Sequence, residues 1–153
     1  MSTIGFDTSN YTTSTAWTDG KTDINVRQIL YVKDGERGIR QSDGVFQHMK
    51  LMPVMYEKLS EQIDFKDVKA VGVSTRPRCV EGSYMPVFLA GEGYAKVVAN
   101  TLGVPLYEFS HQDGHIMAGI YSSGSFELLE NDFISVHLSG GTTEILKSRY
   151  NGF

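Results

Sequence analysis

His111-Gln112-Asp113-Gly114-His115 carries two imidazoles four residues apart. On a helix, positions i and i+4 share one face, so both rings can reach a single metal ion. Two imidazoles alone seldom hold a transition metal, and a third ligand, most readily a carboxylate, is expected from elsewhere, since Asp113 falls on the wrong face of such a helix. An ordinary pair of helix histidines is the alternative reading of the same five residues. His48 reads as a helix-surface residue and His137 as a strand-packing one.

Two short polar loops could hold an anion. Asp7-Thr8-Ser9 closes a short apolar run and opens a turn, where free amides and hydroxyls could face a phosphate or a metal-bound water; a turn held by its own Asp and Ser side chains is the plainer reading. Ser139-Gly140-Gly141-Thr142-Thr143 joins two apolar runs. Its paired glycines let a backbone approach a bulky anion that a Cβ would hold off, although a tight hairpin explains them as well. Residues 75–84 form an Arg-, Gly- and Ser-bearing loop in which Arg76 and Arg78 could meet phosphate or an RNA backbone, or simply be solvated. Cys79 reads as a filler or an idle loop thiol.

These side chains need elements to position them. Residues 2–6 and 11–18 predict a β-hairpin, and Asp19-Gly20 turns the chain into a third strand over 25–32. Apolar residues Val45, Phe46, Met49, Met52, Met55, Tyr56 and Leu59 return every three or four positions and predict a helix over 45–62, with Pro53 kinking it or delaying its start. Strands follow over 68–73 and 104–109, helices over 87–102 and 111–121, and a final strand pair over 133–138 and 143–146. The order is ribonuclease-H-like and belongs to the α/β class, a mixed sheet with helices on both faces. Residues 1–132 make up this first lobe, and 133–153 read as the opening hairpin of a second.

A chain of 153 residues can bury a core without disulfides, and its single cysteine makes no internal bridge, which points to a reducing cytoplasm. The amino terminus lacks the basic start and apolar run of a signal peptide, and no stretch reaches the roughly 18 apolar residues of a membrane span. A net charge of −4 leaves no broad basic footprint, so any RNA contact must be local or lent by a partner.

Gly5-Phe6-Asp7-Thr8-Ser9, the stretches 75–91 and 110–115, and 138–143 resemble, in order and spacing, the motifs of the TsaD family, formerly called glycoprotease or O-sialoglycoprotein endopeptidase, within the actin-like, sugar-kinase-like superfamily. The resemblance implies a metal-containing transferase that takes threonylcarbamoyl-adenylate, derived from ATP, and modifies the adenosine beside the anticodon of certain tRNAs. It implies His111 and His115 as ligands of a divalent metal, iron or zinc, with magnesium accompanying a nucleotide. Leu138, Ser139, Gly140, Gly141 and Thr142 would contact the adenylate, joined by Thr8 and Ser9 of the first loop, and Asp7 is the candidate catalytic carboxylate.

Several positions depart from the family pattern. The first loop carries Asp7-Thr8-Ser9-Asn10 where Glu followed by Thr-Ser-Cys is usual, Thr142 stands where a histidine is usual, and 75–78 is more basic than the usual Gly-Pro-Gly. Family members carry a second lobe that completes the metal site and nucleotide pocket, and this sequence reaches only its first hairpin. Two functions follow as alternatives: part of the transferase, or a non-catalytic paralogue that supports one through a helical interface. Other tRNA-modification subunits are the expected partners, and the open sheet edge over 133–149 invites pairing into a homodimer. Proteolysis in the manner of His-Glu-x-x-His enzymes is disfavoured, because Gln112 follows His111.

Overall fold

The computed structural model describes residues 1–138 and 143–152. Its elements run β1 (Ser2–Asp7), β2 (Thr12–Thr18), β3 (Asp23–Ile29), α1 (Gln41–Ser60), β4 (Val68–Arg76), α2 (Phe88–Leu102), β5 (Leu106–Ser110), α3 (His111–Ser123), β6 (Phe133–Leu138) and β7 (Thr143–Ser148). The first five strands form one sheet in the order β3-β2-β1-β4-β5. β1 and β2, and β2 and β3, pair antiparallel, while β4 joins β1 and β5 joins β4 in parallel. Parallel neighbours need a crossover, and α1 and α2 supply the two that this order requires. The result is the ribonuclease-H-like lobe of the actin-like ATPase fold, a mixed sheet of the α/β class.

Alternation along β1 decides which side of the sheet becomes core. Ile4 and Phe6 are buried on one face with Val71 and Val73 of β4, against Met52 and Leu59 of α1 and Ala95 and Ala99 of α2. Met52, Met55 and Leu59 return at helical spacing and put one buried stripe of α1 on the sheet. The residues of opposite parity, Asp7, Ser74 and Asp23, face the other way and meet α3. His111 reaches Asp7, a Cβ on Gly114 would touch the Ser74 hydroxyl, and the Tyr121 hydroxyl donates to Asp23 at 3.2 Å. Helices therefore cover both faces, as the sequence predicts.

Several local expectations are corrected. The third strand runs from Asp23 to Ile29 and not over 25–32, because its register is dictated by β2, in which Thr18 faces Asp23 and Thr12 faces Ile29. The first helix starts four residues early, at Gln41, and passes through Pro53. Proline has no N–H for the carbonyl of residue 49, and the Tyr94 hydroxyl of α2 donates to that Met49 oxygen at 2.9 Å in its place. His48, expected on the helix surface, is wholly buried, with Nδ1 2.8 Å from the Thr13 hydroxyl of β2. The helix leans its His48 side on β2, where the apolar pattern alone gave no reason to place a polar ring.

α2 ends at Gly103, whose φ of 66° provides the left-handed cap that a side chain would disfavour. β6 and β7 form a separate two-stranded sheet, with Val136 opposite Ile145 and His137 opposite Glu144. Among the described residues no helix is long and apolar enough to cross a membrane.

Candidate metal and ligand site

α3 begins directly after β5, and its first turn is set by a capping box. The Ser110 hydroxyl accepts from the Asp113 amide at 3.1 Å, and the Asp113 carboxylate accepts from the Ser110 amide at 3.0 Å. Asp113 thus serves the helix start and lies off the histidine face, as its spacing suggested. His111 becomes the first helical residue, at the edge of the sheet beside the end of β1.

There the His111 Nδ1 lies 2.8 Å from Asp7 Oδ2. A carboxylate only accepts, so Nδ1 carries a proton directed at Asp7. The ring's other nitrogen, Nε2, shares a hydrogen bond with His115 Nε2 at 2.8 Å, with the two rings edge to face at 4.3 Å between centroids. A carboxylate backing the far nitrogen of a convergent histidine is the usual support of a metal-binding imidazole.

Asp7 has both oxygens engaged, Oδ1 accepting from the Ser9 amide at 2.7 Å. Burial alone would raise its pKa, but the hydrogen bond and charge of His111, with hydrogen bonds from Ser9 and Ser74, bring it down to about 2. This carboxylate orients the His111 ring. The pKa of His115 is lowered by partial desolvation and by its histidine neighbours His111 and His137, against the opposing pull of Asp7.

Thr8 is placed differently from the loop expectation. Its buried hydroxyl donates to the Val87 carbonyl at 2.8 Å and accepts from the Gly91 amide at 3.0 Å, so it ties the first turn to α2 and does not point outward. Ser9 is half-buried in the turn, and Leu138 is exposed at the end of β6. Ser139, Gly140, Gly141 and Thr142 lie outside the described residues. Arg78, a candidate for phosphate, instead pairs with Glu144 of β7 at 2.6 Å, and Arg76 donates to the Thr75 hydroxyl at 3.1 Å.

The donor set suits a metal of the kind that binds imidazole. Two nitrogens converge and one is buttressed by an anion, which fits iron or zinc and not the all-oxygen shell of magnesium. Among the described residues no group of three or more His, Cys, Asp or Glu has metal-holding geometry, so the two imidazoles have no third candidate ligand beside them there. Sequence reading passed over Gln112, Glu144 and the placement of His137 beside His115, at 5.4 Å between ring centroids. Strand alternation could have put His137 and Glu144 on one face, but nothing in the sequence docks that face on α3.

A profile of the family described as tRNA N6-adenosine threonylcarbamoyltransferase, TsaD, matches residues 35–153. The chain belongs to that family. The match takes in the histidine helix and the final hairpin, and Asp7 lies before it.

Curated TsaD proteins similar to the chain include that of Christiangramia forsetii, 33% identical over 98 residues, covering 63% of this chain and 27% of that protein. The enzyme of Pyrobaculum calidifontis is 28% identical over 144 residues, 93% of this chain and 40% of its own length. This TsaD-family chain therefore spans well under half of the relatives it matches. Among solved structures, YeaZ from Pseudomonas aeruginosa shares the fold, with a TM-score of 0.55 at 13% identity over 97% of this chain and 65% of that one.

Proposed function

We propose that this chain forms the first lobe and opening hairpin of a metal-dependent tRNA threonylcarbamoyltransferase, which moves the threonylcarbamoyl group from its adenylate to a tRNA adenosine. The observation that carries the reading is the convergence of His111 and His115 Nε2 with Asp7 behind the first ring. His111 and His115 would hold an iron or zinc ion, which when bound supplies a Lewis acid for the carbamoyl oxygens. Asp7 holds the Nδ1 proton of His111 and so orients the ring. Leu138, Ser139, Gly140, Gly141 and Thr142 would line the adenylate, with Ser9 on the facing turn and magnesium accompanying the nucleotide phosphates.

tRNA, threonylcarbamoyl-adenylate and other tRNA-modification subunits are the partners of this reading, and the cytoplasm is its compartment. Since the acidic chain has no broad basic face, the tRNA contact would be local and completed by the remaining lobe or a partner.

A second reading, a non-catalytic module that supports such a transferase, is favoured by one feature. The outer face of the β6–β7 hairpin exposes Ile134, Val136, Leu138 and Ile145 together, a face suited to pairing with another chain or a second copy. Metal analysis of the purified chain, beside transfer of labelled threonylcarbamoyl to tRNA with partner subunits present, separates the two. Stoichiometric iron or zinc lost in His111→Ala supports the transferase reading. A metal-free chain that stimulates transfer by another protein supports the module.

A further inference from the structure

Beside the histidine pair lies a polar cluster that the transferase reading leaves unused. Glu144 of β7 takes the Arg78 guanidinium on one oxygen at 2.6 Å and the Gln112 side-chain amide on the other at 2.7 Å. Gln112 is buried on α3 between the two candidate ligands, and its amide nitrogen also lies 3.4 Å from His137 Nδ1 on β6. Three elements that are far apart in sequence, the loop after β4, α3 and the β6–β7 hairpin, are joined at one carboxylate.

The amide and the carboxylate together hold His137. His137 Nδ1 faces both the Gln112 amide nitrogen at 3.4 Å and Glu144 Oε2 at 3.6 Å, so the helix and the hairpin both hold that side of the ring. Its ring plane lies 32° from that of His115 at 5.4 Å between centroids, and His115 also meets His111 edge to face. His115 thus contacts two rings, and of these His111 belongs to its own helix and His137 to the hairpin.

We propose that His137 is a positioning residue for the metal pair, holding the His115 ring toward His111, and that Glu144 and Gln112 anchor it there from the hairpin and the helix. The inference rests on the metal reading above. An unsupported side chain must lose its rotamer freedom when it binds, and a wall that removes this freedom beforehand raises affinity. The hairpin thereby sets the metal affinity of a site whose ligands both lie on the first lobe.

The test is a Zn2+ titration of the full chain labelled with 15N at histidine, followed through the imidazole nitrogens. In the wild type, the Nε2 resonances of His111 and His115 should move saturably and those of His137 should not. His137→Ala should bind Zn2+ roughly tenfold more weakly, the order seen for groups supporting a metal ligand. His137→Phe, which keeps a planar wall, should stay close to wild type, and Glu144→Ala should follow His137→Ala. Thermal melting without metal identifies any variant that has lost its fold, and His137→Phe then carries the comparison. Unchanged affinity in folded His137→Ala, or a zinc-induced shift at His137 Nε2, would overturn the positioning role and leave the metal pair standing. No saturable shift at His111 or His115 in the wild type would overturn the metal reading itself.

Discussion

His111 Nδ1 and Asp7 Oδ2 lie 2.8 Å apart although 104 residues separate them in the chain. The contact joins the end of the first strand to the first turn of the third helix, and it decides which nitrogen of His111 faces outward. Removing the carboxylate should therefore act on the metal before it acts on the fold. Asp7→Ala is expected to weaken Zn2+ binding about 10- to 100-fold while far-UV circular dichroism stays unchanged. Equal affinity in the variant, measured by competition with a chelating dye, would mean that Asp7 does not support the site.

Asp7 should also shape the acid limb of stability. Its folded pKa of about 2 lies below the ordinary 3.8, so its contribution is present above pH 4 and is lost as pH falls through the range from 4 to 2. The shift corresponds to about 2 kcal/mol. Urea melts across this range should show that loss in the wild type and a flatter profile in Asp7→Asn.

His48 acts in a higher window. Burial lowers its pKa from 6.5 to about 4, against a smaller opposing effect of the Asp7 charge. The folded state resists a proton that the unfolded chain accepts, so stability is full above pH 6.5 and falls as pH drops toward 4. His48→Met should flatten that part of the profile and leave the Asp7 window in place. A wild-type protein equally stable at pH 7 and pH 4.5 would contradict this.

Pro53 and Tyr94 form a coupled pair across two helices. Tyr94→Phe leaves the Met49 carbonyl without its donor and should cost about 1 kcal/mol. Pro53→Ala restores a backbone donor for the same carbonyl, so in that background Tyr94→Phe should cost markedly less. Additive losses in the double-mutant cycle would show that the two groups do not share this acceptor.

Close packing at Gly91 fixes the first turn. A Cβ there would lie 2.8 Å from the Thr8 hydroxyl, which already bridges Val87 and Gly91. Gly91→Ala should destabilise the chain by about 1–3 kcal/mol, read as a lowered urea midpoint.

Much of this protein was legible before its structure. Alternation in β1, the helical return of Met52, Met55 and Leu59, and the stop at Gly103 each follow from local rules of side-chain direction and backbone freedom. The spacing of His111 and His115 is also local, because a helix puts i and i+4 together whatever surrounds it. The burial of His48 was not legible, since the helical period says which residues share a face but not that a β2 threonine waits to bond one of them.

By itself, then, the sequence determined the element order, the α/β class, the paired imidazoles and the family motifs, all of which depend on neighbours a few residues apart. Only the tertiary structure decided what each imidazole meets: Asp7 behind His111, His137 beside His115, and Glu144 binding the hairpin to Gln112 and Arg78. Those contacts cross 104, 22, 32 and 66 positions of chain. A hydrogen bond is satisfied within about 3 Å, and which distant groups come that close is set by strand pairing and helix docking, not by any local preference.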